Sequence, residues 1–477
     1  MKNKNLLSIL LLLTAMPLNA EPALTVYNQN FAVVRETVPL DLKAGVTESL
    51  YSDMVSHLEP DSVILRDPTG KSKFQILEQS YRNDPVTQQL LLSLFEGKTI
   101  DFFIKEANKP DATVQGKIIR SGYKTNTQPV IEVRGKLQFS LPGLPIFPSL
   151  GDDTVLNPTL TWKIESAKEA KFDAELAYVT GGFTWEADYN LVAPENGNIV
   201  DLVGWVTIKN ESGKTFKEAR VKLMAGEVNK IQPPQPEARR GYAMKAMAAV
   251  ADIAAPVSER AFDEFHLYTL ANKTTLRDQE TKQVEFVRAA AVKMERVYVY
   301  DGAQIGGWQL GMTFGGDPGY GAESNKKVAV YREFRNSLEN NLGVPLPKGR
   351  VRFYTQDSAD QSLQFVGENS LAHTPKDELV RLYTGDSFDL VGERKRIDLK
   401  VNESNHQASE SFEIKLRNHK KESVEIRVVE HLFRWTRWEI KDKSTPFEKK
   451  DAQTIEFRVP LKPDQEQTVT YTVGYSW

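Results

Sequence analysis

The chain contains no cysteine among its 477 residues. That excludes a disulfide framework, a thiol nucleophile, a cysteine-based metal or cluster site and the lipid-bearing cysteine of a lipoprotein. Histidine is scarce too, at positions 57, 266, 373, 406, 419 and 431, and no two stand at a spacing suited to shared ligation. With no His-Glu-x-x-His motif either, no metal site is predicted. There is no Gly-x-Ser-x-Gly elbow and no phosphate loop, and no cofactor is expected. Sixty-four acidic residues nearly balance 61 basic ones, giving a net charge of −3 without a basic stripe, so nucleic acid is not an expected partner.

Long apolar runs are also lacking, with one short exception at the start. Lys2 and Lys4 precede an apolar stretch from Leu6 to Leu13, and Leu18-Asn19-Ala20 supplies a cleavage-like site. This is the pattern of a secretory signal, 1–20, cut near Ala20. The run is too short to span ~30 Å of hydrocarbon, and no later segment reaches the ~20 apolar residues a transmembrane helix needs. The expectation is therefore an exported protein, periplasmic or secreted, with no transmembrane span after cleavage.

What the sequence does have is alternation. Period-two runs recur from Leu24 to Trp477, while helical periodicity is almost absent, which predicts a mainly β protein of several antiparallel β-sandwich or small-barrel domains in tandem. Residues 21–82 read as an N-terminal β segment. In 83–145, Asp84-Pro85 followed by Val86, Leu90, Leu91 and Leu94 predicts one short helix ending at Gly97. The compact strands after it predict a small barrel. Residues 155–229 read as a sandwich module whose turns fall at Gly181-Gly182, Asn196-Gly197 and Asn210 to Gly213. The Pro-, Ala- and Met-rich stretch 230–262 reads as a mobile linker. A second sandwich body, 263–477, contains a glycine-rich loop at 301–326.

Candidate chemistry is sparse. Phe433-Arg-Trp-Thr-Arg-Trp438 is the segment best suited to contact, because on a strand Trp435 and Trp438 project to opposite faces. Arg434, Trp435, Arg437 and Trp438 are accordingly the candidate binding residues, for stacking on a sugar or gripping a partner protein. Glu186 with Asp188, and Asp386 with Asp389, are the carboxylate pairs a carbohydrate-active hydrolase would use. The alternation of Val469, Tyr471, Val473, Tyr475 and Trp477 resembles the last strand of an outer-membrane barrel. Charged runs such as Glu425-Ile-Arg-Val-Val-Glu430 oppose that reading and favour a sandwich strand.

Ordered motifs carry one resemblance. Tyr178-Val-Thr-Gly-Gly-Phe-Thr-Trp-Glu-Ala-Asp-Tyr189, Gly204-Trp-Val-Thr-Ile-Lys-Asn210, Leu223-Met-Ala-Gly-Glu227, Gly343-Val-Pro-Leu-Pro-Lys-Gly-Arg350 and Val429-Glu-His-Leu432 are similar to the domain of unknown function found in mucoidy-inhibitor-like exported bacterial proteins. The likeness covers about 155–477. It implies an exported, β-rich protein tied to the cell envelope, with no catalytic residues to carry over. The resulting expectation is a non-enzymatic binding or assembly protein whose partner is an envelope polysaccharide or envelope protein.

Overall fold

A computed structural model describes residues 21–105, 110–123, 127–150, 154–195, 197–226, 228–230, 257–262, 264–304 and 319–477. The leader 1–20, most of the linker 230–262 and the middle of the glycine-rich loop lie outside the described residues. The protein is mainly β, with one α-helix among the described residues. It forms two compact units that interleave along the chain. Unit 1 comprises Met1–Trp185, Ile208–Met224 and Asn272–Lys282, and unit 2 comprises Glu186–Thr207, Ala225–Ala271 and Gln283–Trp477. The tandem order read from the sequence is corrected accordingly. Phe183–Pro194 and Ile199–Asn210 are long strands with residues in both units, so 155–229 is not one module.

In unit 1, Ala23–Tyr27 pairs antiparallel with Phe31–Leu42 and parallel with Phe216–Ala225. Phe31–Leu42 continues the sheet to Ala170–Gly181, with Val34 opposite Tyr178 and Leu40 opposite Phe172. Its even-numbered residues Val34, Val38, Leu40 and Leu42 are buried, which follows from the period of a strand with one face on the core. Glu36 falls on that same buried face. Lys214 Nζ lies 2.9 Å from its carboxylate, and the Tyr178 hydroxyl donates to it at 2.9 Å. The buried charge is thus compensated within the chain.

Also in unit 1, the expected small barrel is an open five-stranded sheet in the order Leu144–Ile146, Thr99–Ile104, Ala112–Arg120, Val130–Val133, Lys136–Gln138. Its two edges are three-residue strands that do not pair, too short to close a ladder. A core of Leu92, Phe95, Ile100, Phe102, Ile118 and Ile131 is completed by the helix instead. That helix is Gln88–Leu94, capped by Thr87, whose Oγ1 accepts from Leu90 N at 3.1 Å. It starts later than the Asp84-Pro85 signal suggests. Val86 N donates to Val155 O at 2.9 Å, which keeps this stretch extended, and the Asp84 carboxylate is held by Arg82 at 2.7 Å.

Unit 2 contains a nine-stranded sheet ordered Arg437–Lys443, Glu466–Ser476, Gln407–Asn418, Leu379–Asn402, Lys327–Arg335, Glu295–Asp301, Val424–His431, Thr454–Leu461, Phe447–Lys449. Glu295–Asp301 and Val424–His431 run parallel; the other neighbours are antiparallel. Phe457 and Tyr471 lie on strands far apart in that order, yet their rings are 5.6 Å apart. The sheet therefore folds over on itself and buries one core, including Tyr300, Ile414, Ile426, Val428, Phe457, Val459, Val469 and Val473. No sheet among the described residues closes into a barrel. The last strand turns Val469, Tyr471, Val473 and Tyr475 into this core, as a sandwich strand does and a lipid-facing one does not. The outer-membrane barrel reading is corrected on that ground.

A second sheet of unit 2 sets Gly349–Gln356 parallel to Phe183–Pro194 and antiparallel to Leu363–Leu371. Gly349 meets Ala187 so closely that a Cβ would stand 2.0 Å from the Ala187 carbonyl oxygen. Only glycine permits this approach.

Candidate functional site

The segment singled out by sequence divides between interior and surface. Phe433 and Arg434 form a turn, Trp435 follows it, and the strand begins only at Arg437. Arg434 is 1% exposed, so its place as a surface contact residue is corrected. Its Nη2 donates to Glu410 Oε1 at 2.7 Å and to the Tyr320 carbonyl at 3.1 Å. The fork of an arginine lets one side chain satisfy both acceptors and pin the turn to the sheet behind it. Trp435 packs on the core with its ring 6.0 Å from that of Trp477. Arg434 and Trp435 are thus positioning residues for the strand that follows.

Arg437 and Trp438 do come together on a surface. Arg437–Lys443 is an edge strand of the nine-stranded sheet, and with Phe447, Lys449, Gln407, Gly474 and Tyr475 it lines a groove of about 680 Å³. Trp438 Nε1 donates to the Ala452 carbonyl at 2.8 Å, which fixes the indole at half-exposure. Lys449 Nζ stands 4.8 Å from the Trp438 ring centre, and Lys443 Nζ stands 4.7 Å from that of Phe447. Lys441 lies across Gly474, where a Cβ would meet its Cε at 2.3 Å. Burial, reinforced by the Glu410 carboxylate, pushes the Tyr475 hydroxyl well above the ordinary tyrosine range, so it remains protonated.

The groove is cationic. Arg437, Lys441, Lys443 and Lys449 line it against the single carboxylate Glu439, and none of these five forms an ion pair among the described residues. Lysines on an edge strand also discourage strand addition by another chain, and the bulge between Ile440 and Asp442 helps. Trp438 is not explained by that protective role, since a large aromatic at an edge favours contact. The sequence signal missed here is the run Glu439-Ile-Lys-Asp-Lys443, whose alternation extends the cationic face beyond Arg437.

The carboxylate pairs proposed for hydrolysis are separated by environment. Asp188 is 8% exposed, accepts from Thr207 Oγ1 at 2.8 Å and lies 3.6 Å from Arg352, while Glu186 is exposed. Asp386 accepts from the Tyr383 hydroxyl at 3.0 Å and pairs with Lys327 at 3.1 Å. Asp389 is exposed and forms no ion pair among the described residues. Asp188 and Asp386 are therefore already engaged with cations. Among the described residues no group of three or more His, Asp or Glu could hold a metal ion.

The profile of a family described as Domain of unknown function (DUF4139) matches residues 174–477. The chain belongs to that family. The DUF4139 region starts within the strand Ala170–Gly181 and ends at Trp477, so it takes in the whole nine-stranded sheet and the groove beside Trp438. It begins later than the resemblance at 155 suggested. A comparison with curated proteins finds no match.

Proposed function

We propose that this DUF4139 protein is an exported, non-enzymatic binding module of the bacterial cell envelope, and that the groove along Arg437–Lys443 takes an acidic envelope polysaccharide. The observation that carries the reading is the immobilised indole of Trp438 among four unpaired cations. A flat aromatic face suits a pyranose ring, and cations suit its carboxylates or sulfates. The secretory pattern of the first 20 residues and the likeness to mucoidy-inhibitor-like proteins support the envelope as its setting. Calorimetric titration with acidic and neutral polysaccharides tests this. Acidic chains should bind, weaken with added salt, and bind at least ten-fold less tightly to Trp438→Ala, a loss of roughly 1.4 kcal/mol. Equal affinity for neutral chains, or an unaffected Trp438→Ala variant, would remove the reading. Release of new reducing ends during the same titration would favour the hydrolase instead.

A further inference from the structure

At one end of the folded-over sheet of unit 2 the inward face changes from apolar to cationic. Along Glu295–Asp301, Tyr300 and Tyr298 face the core and Arg296 follows two residues earlier on the same face. On the neighbouring strand Val328 and Val330 are succeeded by Arg332, and the register sets Tyr298 opposite Val330 and Arg296 opposite Arg332. Two arginines thus stand side by side as a cross-strand pair, an arrangement that like charges disfavour. Neither forms an ion pair among the described residues. Arg332 is only 8% exposed, its Nη1 is buried with no hydrogen-bond partner, and the buried Tyr298 hydroxyl has none either.

The residues that carry these shielded donors, Arg332 and Tyr298, line a groove of about 300 Å³ together with Arg296, Lys420, Thr355 and Asp389. A register slip builds its outer wall. Lys327 stands opposite Val391 but Ala329 opposite Asp386, so extra residues loop out of the long strand Leu379–Asn402 at Ser387 to Asp389. Phe388, on that bulge, also lines the groove and is 97% exposed. The charges do not cancel. Asp386 is committed to Lys327 at 3.1 Å and Lys420 to Glu422 at 3.3 Å, which leaves Arg296 and Arg332 against Asp389 alone. Burial, followed by the neighbouring Arg296 charge, pushes the Arg332 guanidinium down to about 10. At neutral pH it still carries its proton.

The geometry points to an oxyanion site: this groove binds a phosphate, sulfate or carboxylate group of a ligand through Arg332, Arg296 and the Tyr298 hydroxyl. An anion there separates the two like charges with an opposite one and, as the side chains turn toward it, supplies the acceptors that Arg332 Nη1 and Tyr298 lack. Phe388 offers a ring at the mouth for the part of the ligand that bears the anion. The site is separate from the groove beside Trp438, and either can fail without the other.

The purified protein is titrated by calorimetry with inorganic phosphate, sulfate and acetate, at constant ionic strength made up with chloride. At least one should bind saturably at one equivalent, and which of the three binds tells phosphate or sulfate chemistry from carboxylate chemistry. Arg332→Met should weaken that binding more than ten-fold without lowering the melting temperature in chloride, and Trp438→Ala should leave it unchanged. Tyr298→Phe keeps the ring and should weaken binding several-fold. If Arg332→Met does not fold, Arg296→Gln and Tyr298→Phe decide by the same measure. No saturable binding of any of the three anions, or binding equally tight in the folded variants, overturns the site.

Discussion

Arg394 and Arg332 are buried on adjacent strands of one sheet and answer the same physical problem differently. Arg394 Nε contacts Glu430 at 2.9 Å, its Nη1 donates to the Gly321 carbonyl at 2.7 Å, and its guanidinium lies 4.0 Å from the ring centre of Phe412. Glu430 also accepts from the Tyr471 hydroxyl at 2.5 Å. Burial works against the Arg394 charge, but Glu430 and Tyr471 outweigh it and hold the group protonated. Arg332 has burial without the partners. The contrast teaches that desolvation of an arginine is tolerable when the fold supplies acceptors, and that an uncompensated one marks a place where the acceptor comes from outside.

The largest expected effect comes from breaking the compensated case. Arg394→Met leaves Glu430 buried without a cation and should cost about 3–5 kcal/mol in urea unfolding. A loss below ~1 kcal/mol would mean the pair adds little. Lys214→Met in unit 1 strands Glu36 similarly, though Tyr178 still donates to that carboxylate, so about 2–4 kcal/mol is expected. Arg332→Met should act in the opposite direction. Removing an unpartnered guanidinium should be neutral or stabilising by up to about 2 kcal/mol in chloride. If Arg332→Met destabilises as much as Arg394→Met, the two arginines are alike and the comparison collapses.

The smallest effect sharpens the comparison through pH. The hydrogen bond that His431 Nε2 donates to the Asp301 carboxylate, at 3.0 Å and against the opposing effect of burial, raises His431 above its ordinary 6.5. A folded-state value above the unfolded one means that folding takes up protons, so the contribution is full below pH 6.5 and fades as pH rises through the raised value. Asp301→Asn should therefore cost more stability below pH 6.5 than well above it, as read from denaturation curves at the two conditions. A penalty equal at both would detach His431 from the effect.

Alternation made the strands legible because a strand with one buried face must place apolar residues at every second position, as in Phe31–Leu42 and Glu466–Ser476. Which strands pair is not written locally. Nothing in the sequence around Arg296 announces Arg332 as its neighbour, so the charged pair was invisible until the register was known. The same limit hid the interleaving of the units and the open edges of the sheet that looked like a barrel. Thr87 rather than Asp84 caps the helix because the bridge of Pro85 to Val155 competes for the preceding residues. Arg434 reads from the sequence as a binding residue because arginine beside tryptophan suits contact; the turn carrying it instead points it at Glu410.

The parallel pairing of Glu295–Asp301 with Val424–His431 joins segments separated by five strands, three of them in the same sheet. Such a ladder cannot assemble from a nascent fragment that stops short of residue 424, and closing so long an intervening stretch is slow. Chain growth therefore leaves Tyr298 and Val299 waiting for their eventual neighbours, and the acquisition of tertiary order in unit 2 is a late, nearly all-or-none event that C-terminal truncation should abolish.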